Sequence, residues 1–561
     1  MEKQLIECVP NFSEGRDLSL IKQITDVIES VEGVKLLDVD PGKATNRTVV
    51  TFVGEPQPVI DAAFLAIKKA GEILDMSKHT GEHPRQGATD VCPLIPIANI
   101  SMEETAQWAH KLGHRIGEEL DIPIYMYEAA ATKPERKNLA TIRAGEYEAL
   151  PEKLKTEAFK PDYGKAVFNK KAGVTVVGAR DFLIAYNINL NTTSVRRANS
   201  VAFDVREQGR VKREGDPITG EVVKDAKGNP ERIPGACKAV KGIGWYIEEY
   251  GIAQVSMNLT DINVTPLHIA FEEADKSASS RGMRVTGSEI VGLVPLKVML
   301  DAGKYFLKKQ ERSVGVSDAE LIKIAVKSMG LDDLTPFDPN KKIIEYVMRD
   351  GNENPLVSLN LKDFAELASS ESPAPGGGSV SAYVGALGAA LGGMVANLSS
   401  HKRGWDEQWE TFSDWAEKAK SIQDRLLFLV DEDTRAFNAI MEGFKLPKGN
   451  DEEKQLRKEA IASATRFAIQ TPLETMKVAR EGFDLIREMV QKGNPNSISD
   501  GGVGGLCLRA AIHGAYMNVK INCVGFKDSE FVENTLKEAN AIIEETDKFE
   551  AEVRALVDKA L

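Results

Sequence analysis

The segment HTGEHPRQGATD, from His79 to Asp90, holds two histidines four residues apart and a carboxylate beside the second. On a helix this spacing would place both imidazoles on one face, as in zinc-binding helices. Pro84 opposes a helix, because the residue before a proline is pushed into extended backbone geometry. Flanking glycines interrupt the helix further. The segment is therefore predicted to be a loop that presents the His83 imidazole, and not a paired-histidine metal site.

A neutral imidazole can take a proton from a reacting amine near pH 7, and a carboxylate can orient its ring. The segment LLDVDPGKATNRT supplies Asp38 and Asp40 at the end of a predicted strand, where loops often carry functional residues. Asp40 is the preferred partner of His83. An ordinary loop histidine, with Asp40 capping a turn before Pro41, is the alternative that spacing leaves open.

A second polar loop, GKAVFNKKAG at 164–173, places three lysines around Phe168. Such a loop suits carboxylates held by the lysines and an aromatic ligand packed on the ring. A solvated lysine cluster at the surface is the alternative.

The segment DRLLFLVDEDTRAFNAIM, at 424–441, has a helical apolar stripe formed by Leu426, Leu429, Val430, Phe437 and Ile440. Asp433 falls on that stripe, whereas Asp431, Glu432 and Arg435 fall elsewhere on the helix. Burial should raise the pKa of Asp433, which suits a general acid. A buried aspartate with a purely structural role is the alternative.

The segment SPAPGGGSVSAYVGALGAALGGMVANLS places glycines 376–378 near a predicted helix start, where free N–H groups bind anions. Small residues follow on one helical face, at positions 381, 385, 388, 389, 392, 393 and 396. Flanking charges favour close packing in a soluble bundle or oligomer over a membrane dimer. Further along, Ser499 and Asp500 are predicted to cap a helix. Asn518 and Asn522 share a helical face. The secondary site candidates are Arg85, Ser499, Asp500, Asn518 and Asn522.

The elements that position these residues change character along the chain. Up to about residue 350, strand-like and helix-like segments alternate, with helices predicted at 18–31, 57–75 and 101–119. The order predicts an α+β half built from two ferredoxin-like subdomains of the β-α-β-β-α-β type. The polar stretch 207–236 is predicted to be an exposed loop or hairpin.

Beyond RDGNENPLVSLN the strand pattern gives way to long helices, which predicts an all-α helical bundle. These helices are predicted at about 377–400, 405–443, 452–490, 501–524 and 528–561. The predicted boundaries are therefore a first subdomain at 1–181, a second at 182–348, a linker at 349–357 and a helical domain at 358–561.

Composition narrows the classes of function. The 561 residues carry a net charge of −13, which argues against nucleic acid as a main partner. The five cysteines show no metal or disulfide spacing, and we identify no signal sequence or bilayer-spanning stretch. A cytoplasmic protein without a membrane partner is expected.

Four segments, IECVPNFSEGRD, LLDVDPGKATNRTVVTFVG, HTGEHPRQGATDVCPLIPI and IRAGEYEAL, resemble glutamate formimidoyltransferases. The C-terminal half, with the glycine-rich helix described above, resembles formimidoyltetrahydrofolate cyclodeaminase. The resemblance covers nearly the whole chain in this order and points to the fused, bifunctional family.

This resemblance implies transfer of a formimidoyl group from N-formimidoyl-L-glutamate to N5 of tetrahydrofolate, followed by cyclisation to 5,10-methenyltetrahydrofolate with release of ammonia. It implies that His83 is catalytic in the first reaction and Asp433 in the second, with no metal or bound cofactor and with polyglutamylated tetrahydrofolate as co-substrate. It also implies a folate segment consisting of Gly164, Lys165, Ala166, Val167, Phe168, Asn169, Lys170, Lys171, Ala172 and Gly173.

The resemblance further implies a ring-shaped homo-oligomer. An alternative enzyme would use 5-formyltetrahydrofolate and glutamate at the same histidine loop, and the sequence does not separate the two acyl groups. A non-catalytic alternative is a folate-binding assembly scaffold in which one half is inactive.

Overall fold

The computed structural model describes residues 4–43, 45–81, 84–215, 220–348 and 355–561. The chain folds into two compact units. The first unit runs to Met299 and resumes over Val326–Met348, and the second takes Leu300–Ala325 and the C-terminal part of the chain to Leu561. The predicted linker 349–357 lies mostly outside the described residues.

The first unit begins with a seven-stranded sheet. Its strands are β1 (Leu5–Cys8), β2 (Asn11–Phe12), β3 (Val34–Gly42), β4 (Arg47–Gly54), β5 (Thr89–Ala98), β6 (Ile124–Glu128) and β7 (Thr175–Ala179). β3 pairs with β4, and β1 and β2 lie between β4 and β5, with antiparallel pairing throughout. β7 and β6 extend the sheet beyond β5 as parallel strands, so the sheet is larger than the predicted four-strand unit.

Helices pack on one face of this sheet because apolar residues recur at helical spacing. They are α1 (Leu18–Glu29), α2 (Pro56–Ile73) and α3 (Met102–Glu119), followed by the short α4 (Leu139–Arg143) and α5 (Leu150–Lys153). In α1 the buried Ile21, Ile24 and Ile28 face the sheet, and Asp17 caps the first turn. Alternation along the strands buries Ile6 and Cys8 under these helices.

A second, four-stranded antiparallel sheet follows in the order β11–β12–β8–β13. Its strands are β8 (Ile184–Leu190), β11 (Val240–Ile247), β12 (Ile252–Leu259) and β13 (Val285–Val291), and its helices are α6 (Val195–Val205) and α7 (Leu267–Ser279). The stretch 207–236 contains a hairpin of β9 (Arg210–Val211) and β10 (Arg232–Ile233), as predicted for the part the structure describes. The sequence analysis missed α6.

Helices continue the chain toward and into the second unit. They are α8 (Leu296–Lys309), α9 (Asp318–Met329), α10 (Pro339–Lys342), α11 (Ile344–Met348), α12 (Leu361–Ala368), α13 (Gly377–Ser400), α14 (Trp409–Lys445), α15 (Asp451–Lys492), α16 (Ile498–Cys523) and α17 (Ser529–Ala560). The five long helices predicted beyond residue 377 are confirmed with small shifts at their ends.

α13 is the central helix of the second unit and packs against α14, α15 and α16. Its small residues allow this close approach, since a Cβ at Gly388 would lie 2.9 Å from the Gly504 carbonyl oxygen. The predicted role of the small residues in helix packing is confirmed.

Among the described residues, α13 is also the one helix long and apolar enough to cross a membrane, with a mean hydropathy of 1.5. The prediction that no such stretch exists was therefore wrong by length and composition. Of the apolar window, 61% is buried inside the protein, as is typical of a core helix.

Candidate active sites

Asn46 connects three polar segments of the first unit. Its side-chain oxygen accepts a hydrogen bond from the Gly15 N–H at 3.0 Å, and its amide donates to the Thr80 carbonyl at 2.9 Å. Its own carbonyl contacts Nε2 of His79 at 2.9 Å. Asn46 has a φ of 47°, a left-handed conformation that asparagine tolerates better than most residues. The residue thus ties the start of the histidine loop to two neighbouring loops.

His79 uses both ring nitrogens in this contact network. Because the Asn46 carbonyl can only accept, Nε2 carries the proton, and Nδ1 accepts from Nε of Arg85 at 3.3 Å. Burial lowers the pKa of His79, the Asn46 carbonyl opposes that shift, and the Arg85 charge adds to it. His79 is thus a neutral, engaged imidazole. His83 itself lies outside the described residues.

Ion pairs formed by Arg85 connect the histidine loop to the segment after α4. Its guanidinium contacts both carboxylate oxygens of Glu148, at 2.9 and 2.7 Å, and one of Glu146, at 3.0 Å. The hydrogen bond with Glu148 raises the pKa of Arg85. This predicted secondary candidate is committed to ion pairs within the protein.

Asp90, at the end of the same segment, is fully buried between two arginines. Its Oδ2 lies 2.6 Å from Arg47 and 2.6 Å from Arg143, and its Oδ1 accepts from the Gln86 N–H. Burial alone would raise the pKa of Asp90, but the two guanidinium ions lower it on balance. This triad was not predicted from the sequence, although its members lie in three of the quoted motifs.

The segment 164–173 lies against the histidine loop. Gly173 bridges to Gly87, and the Tyr147 hydroxyl donates to the Lys170 carbonyl at 2.6 Å. The half-buried Phe168 ring packs 5.5 Å from the Tyr147 ring. The histidine loop, the 143–150 segment and the predicted folate segment therefore form one surface.

The three lysines of this segment differ in their contacts. Lys165 pairs with Asp121 at 2.9 Å, and the Lys171 ammonium donates to the Glu72 carbonyl. Lys170 is exposed, and its ammonium contacts no other side chain in the described ranges. Lys170 is the lysine most available to a ligand.

Asp40 lies on the sheet face opposite the helices, together with Asp38, because alternate residues of β3 face the same side. Burial raises the pKa of both carboxyls, and the Lys342 charge lowers it. Glu7 of β1 shares this face at 4% exposure, and burial raises its pKa to about 7. The partnership of Asp40 with His83 falls outside the described residues. The alternation of residues along β1 did not by itself identify Glu7 as a buried carboxyl.

In the second unit the Asp433 carboxylate sits at the N-terminus of α13. Its Oδ2 accepts from the backbone N–H of Ser379 at 2.9 Å and from the Ser379 hydroxyl at 3.2 Å. Burial raises the pKa of Asp433 and the Ser379 hydrogen bonds oppose that shift, so the predicted direction is confirmed. Because the raised pKa favours the protonated carboxyl, this side chain is suited to act as a proton donor.

Three family descriptions match consecutive parts of the chain. The formiminotransferase domain, N-terminal subdomain, matches residues 5–180, and the formiminotransferase domain matches 185–349. The formiminotransferase-cyclodeaminase family matches 360–541. The formimidoyltransferase-cyclodeaminase of Mus musculus is 44% identical over 543 residues, which cover 97% of this chain and 96% of the relative.

The chain belongs to the formimidoyltransferase-cyclodeaminase family. Two shorter relatives resemble parts of it. The glutamate formimidoyltransferase of Thermoplasma acidophilum is 43% identical over 54% of this chain and 92% of its own length. The methenyltetrahydrofolate cyclohydrolase of Methylorubrum extorquens is 37% identical over 33% of this chain and 89% of its own length.

In this member of the family, Asp431 is more buried than Asp433, which the helical stripe did not predict. Its carboxylate accepts the N–H groups of Leu356 at 2.9 Å and Val357 at 3.3 Å. Asp431 is buried although it lies off the apolar stripe, because the segment before α12 covers that side of α14. Phe437, which belongs to the apolar stripe, is 36% exposed.

The secondary candidates of the helical unit separate into two groups. Asn518 lies beside the α13 N-terminus, with its amide nitrogen 3.4 Å from the Cβ position of Gly377. Asn522 donates to the Ala468 carbonyl at 2.7 Å and bridges α16 to α15. Asn518 is thus the asparagine closer to the Asp433 site.

Ser499 and Asp500 lie near the opposite end of α16, roughly 28 Å from Asn518 along the helix axis. The N-cap of α16 is Ser497, so the prediction that Ser499 and Asp500 cap this helix was wrong. A 3₁₀ turn at Pro495–Ser497 leads directly into the helix and places both residues in its first turn. Within one chain they do not join Asp433.

Proposed function

We propose that this chain carries both activities of its family in histidine degradation and one-carbon metabolism. It transfers the formimidoyl group from N-formimidoyl-L-glutamate to N5 of tetrahydrofolate, and then cyclises 5-formimidoyltetrahydrofolate to 5,10-methenyltetrahydrofolate with release of ammonia. The observation that carries this proposal is similarity to the mouse enzyme over 97% of the chain, because that length includes both compact units.

In the transfer reaction His83 acts as both base and acid. N5 of tetrahydrofolate attacks the formimidoyl carbon and must lose a proton, which the His83 imidazole accepts. The same ring returns a proton to the glutamate nitrogen as the bond to the formimidoyl carbon breaks. Asp40 orients the ring. His79 and Arg85, which flank His83 in the sequence, are both anchored by hydrogen bonds, and this supports the proposed role of the segment.

The segment 164–173 binds the folate. Phe168 packs against Tyr147, whose N–H donates to the Arg85 carbonyl of the histidine loop, and this suits contact with the pterin or benzoyl ring. The exposed Lys170 suits a glutamyl carboxylate. Tetrahydrofolate with a polyglutamate tail is the co-substrate, because the tail extends the array of carboxylates that lysines attract.

In the cyclisation N10 attacks the formimidoyl carbon on N5, which gives a tetrahedral carbon bonded to three nitrogens. The exocyclic nitrogen leaves as ammonia once it is protonated, and the protonated Asp433 carboxyl supplies that proton. Expulsion of ammonia forms the C=N bond of the methenyl product. The raised pKa of Asp433, which burial causes, supports this role.

A spectroscopic assay tests the proposal. Purified protein with formimidoylglutamate and tetrahydrofolate should form methenyltetrahydrofolate and one equivalent of ammonia. Faster reaction with 5-formyltetrahydrofolate and glutamate would favour the formyltransferase alternative. Folate binding without turnover from either donor would favour the scaffold alternative.

We also propose the finer assignments of architecture and location. The strand orders β3–β4–β1–β5 and β11–β12–β8–β13 support two ferredoxin-like subdomains, with boundaries at 1–181, 182–348 and 358–561 and a linker at 349–357. The composition supports a cytoplasmic enzyme with no nucleic-acid or membrane partner. The resemblance to the family implies that neither reaction needs a bound cofactor or metal.

The solvent side of α13 supports a homo-oligomer, which we propose to be a ring. α13 carries no charged residue, and apolar residues on its outer side alternate at spacings of four and three, which is the pattern of helix-to-helix pairing. They are Val380, Val384, Leu387, Leu391, Met394 and Leu398. Neighbouring α16 exposes Val503, Leu506, Met517 and Ile521.

A face two helices wide and about 36 Å long reaches the order of 800 Å² that each partner contributes to a stable interface. A second copy of the chain fits this face, because interface cores are depleted of charge. The double variant Leu387→Asp, Leu391→Asp should lower the sedimenting mass, whereas Leu456→Asp, an exposed position on α15, should not. An unchanged mass for the double variant would remove this face from the assembly.

A further inference from the structure

The His79 imidazole is hydrogen-bonded through both of its ring nitrogens. His79 precedes His83 by four residues in the sequence and Arg85 follows His83 by two, and Arg85 donates to Nδ1 of His79 at 3.3 Å. On its other side the His79 ring donates to the Asn46 carbonyl at 2.9 Å. We propose that His79 is a positioning residue of the transfer reaction, because its neutral ring bridges Asn46 and Arg85 and so fixes described residues that flank His83 in the sequence. This inference rests on the proposed transferase function.

Further contacts hold the residues next to the His79 bridge. The Asn46 amide holds the Thr80 carbonyl at 2.9 Å, and a Cβ at Gly81 would overlap the Thr45 carbonyl. On the far side Arg85 is held by Glu146 and Glu148. Thr80 and Gly81 are therefore held by contacts with the Asn46 loop and Arg85 by two carboxylates, and His79 joins these two groups of contacts.

Protonation of His79 would break the bridge. A proton on Nδ1 turns the acceptor into a donor that faces the Arg85 N–H, and two cations then lie in contact. The charged groups facing the ring are Arg85 of the same loop, Glu14 and Arg16 of the loop before α1, and Glu148. Burial lowers the pKa of His79, so the bridge contributes stability above the ordinary pKa and loses it as pH falls through the lowered value.

Two substitutions test the two hydrogen bonds of the His79 ring separately. The side-chain oxygen of asparagine can replace Nδ1 as the acceptor for Arg85, and the amide of glutamine can replace Nε2–H as the donor to Asn46. The test set is therefore His79→Asn, His79→Gln and His79→Ala. His513→Gln is the control, because it removes a histidine from α16 in the other unit, where it contacts Asp547.

Transfer should fall about 10–100-fold in kcat for His79→Ala, since displacement of a catalytic group by about an ångström costs this much. KM should change little. His79→Asn and His79→Gln should each recover part of the loss. In all three variants the transfer rate should fall less steeply with decreasing pH, because the titrating His79 is gone. Cyclisation of supplied 5-formimidoyltetrahydrofolate should remain at the wild-type rate.

Transfer by His79→Ala within twofold of wild type from pH 6 to 8.5 would overturn the proposal. A uniform loss of transfer and cyclisation in proportion to the unfolded fraction would also overturn it, because His79 would then be only structural. Nitrogen NMR of the His79 ring and hydrogen exchange of residues 79–90 provide a readout that does not need turnover. A wild-type protein that shows the Nε2–H tautomer and a protected loop but no transfer would refute the proposed function and leave the bridge intact.

Discussion

The Asp433 carboxylate of α14 accepts the backbone N–H of Ser379, in the first turn of α13, at 2.9 Å. A side chain from one helix thus satisfies a donor that the other helix leaves free at its N-terminus. The N-cap residue of α13, Gly376, provides no side-chain cap of its own. The helix terminus favours the charged carboxylate, whereas burial favours the neutral acid, and burial prevails in the pKa of Asp433.

Replacement of Asp433 by Asn should stop ammonia release, so that 5-formimidoyltetrahydrofolate accumulates while transfer continues. Asparagine keeps an acceptor for the Ser379 N–H but has no carboxylic proton. The matched control is Asp431→Asn, two residues earlier, which weakens the bonds to Leu356 and Val357. The control should cost about 1–3 kcal/mol of stability but retain cyclisation per folded molecule. Melting temperature and ammonia release on the same preparations distinguish the two roles.

Cyclisation should decline as pH rises through the raised pKa of Asp433, because the protonated form is the active one. The free energy of unfolding depends on pH with the same sign as cyclisation, because both decline as pH rises. A carboxyl whose folded pKa lies above its ordinary 3.8 contributes stability below that value and loses it as pH rises through the folded pKa. Asp433→Asn should therefore melt at or above the wild-type temperature at pH 8. A lower melting temperature there would contradict a desolvated carboxylate.

Gly378→Ala should disrupt the Asp433 site without removing the acid. A Cβ at Gly378 would overlap the carboxylate, so that Asp433 must move away from the α13 N-terminus. We expect cyclisation to fall about tenfold or more and stability to fall by about 1–3 kcal/mol, as for overpacking. Gly376→Ala is the control, because its Cβ position has only the Pro373 carbonyl nearby, at 3.8 Å. Equal cyclisation rates for the two variants would contradict this arrangement.

His83→Ala should remove transfer by about 10²–10⁴-fold, the usual span for a positioned acid or base. Cyclisation of supplied 5-formimidoyltetrahydrofolate should stay near the wild-type rate, because Asp433 lies in the other compact unit. Single-turnover assays with each substrate provide the measurement. Undiminished transfer would exclude His83 from the mechanism.

Replacement of Lys170 and Lys171 by Ala should raise KM for folate, most strongly for long glutamate tails and at low salt, where charge screening is weakest. Of the two, Lys170 should account for more of the effect, because the Lys171 ammonium is already bound to the Glu72 carbonyl. Lys22→Ala is the control, since Lys22 lies on α1, outside the folate segment, and pairs with Asp26. KM values that do not depend on tail length in any variant would assign these lysines to the surface alone.

Periodicity and turn chemistry determined the elements of this chain. α13 at Gly377–Ser400 has the predicted bounds, because helical spacing and breakers act over a few neighbouring residues. Proline and glycine likewise showed that the histidine segment is a loop. The partial burial of Asp433 was predicted because Asp433 lies on the same helical stripe as Leu429, four residues earlier.

Only the tertiary structure decided which side chains meet. Asp90 lies between Arg47 and Arg143, and these contacts span more than forty residues of sequence that no local pattern reports. The same applies to Asp431 and Asp433, which are two residues apart on one helix. A helical wheel separates their directions, but the segment that covers one and the helix terminus that receives the other come from distant parts of the chain. Hydrogen bonds and burial depend on those neighbours, so residue type and spacing identified the chemical groups while packing determined their roles.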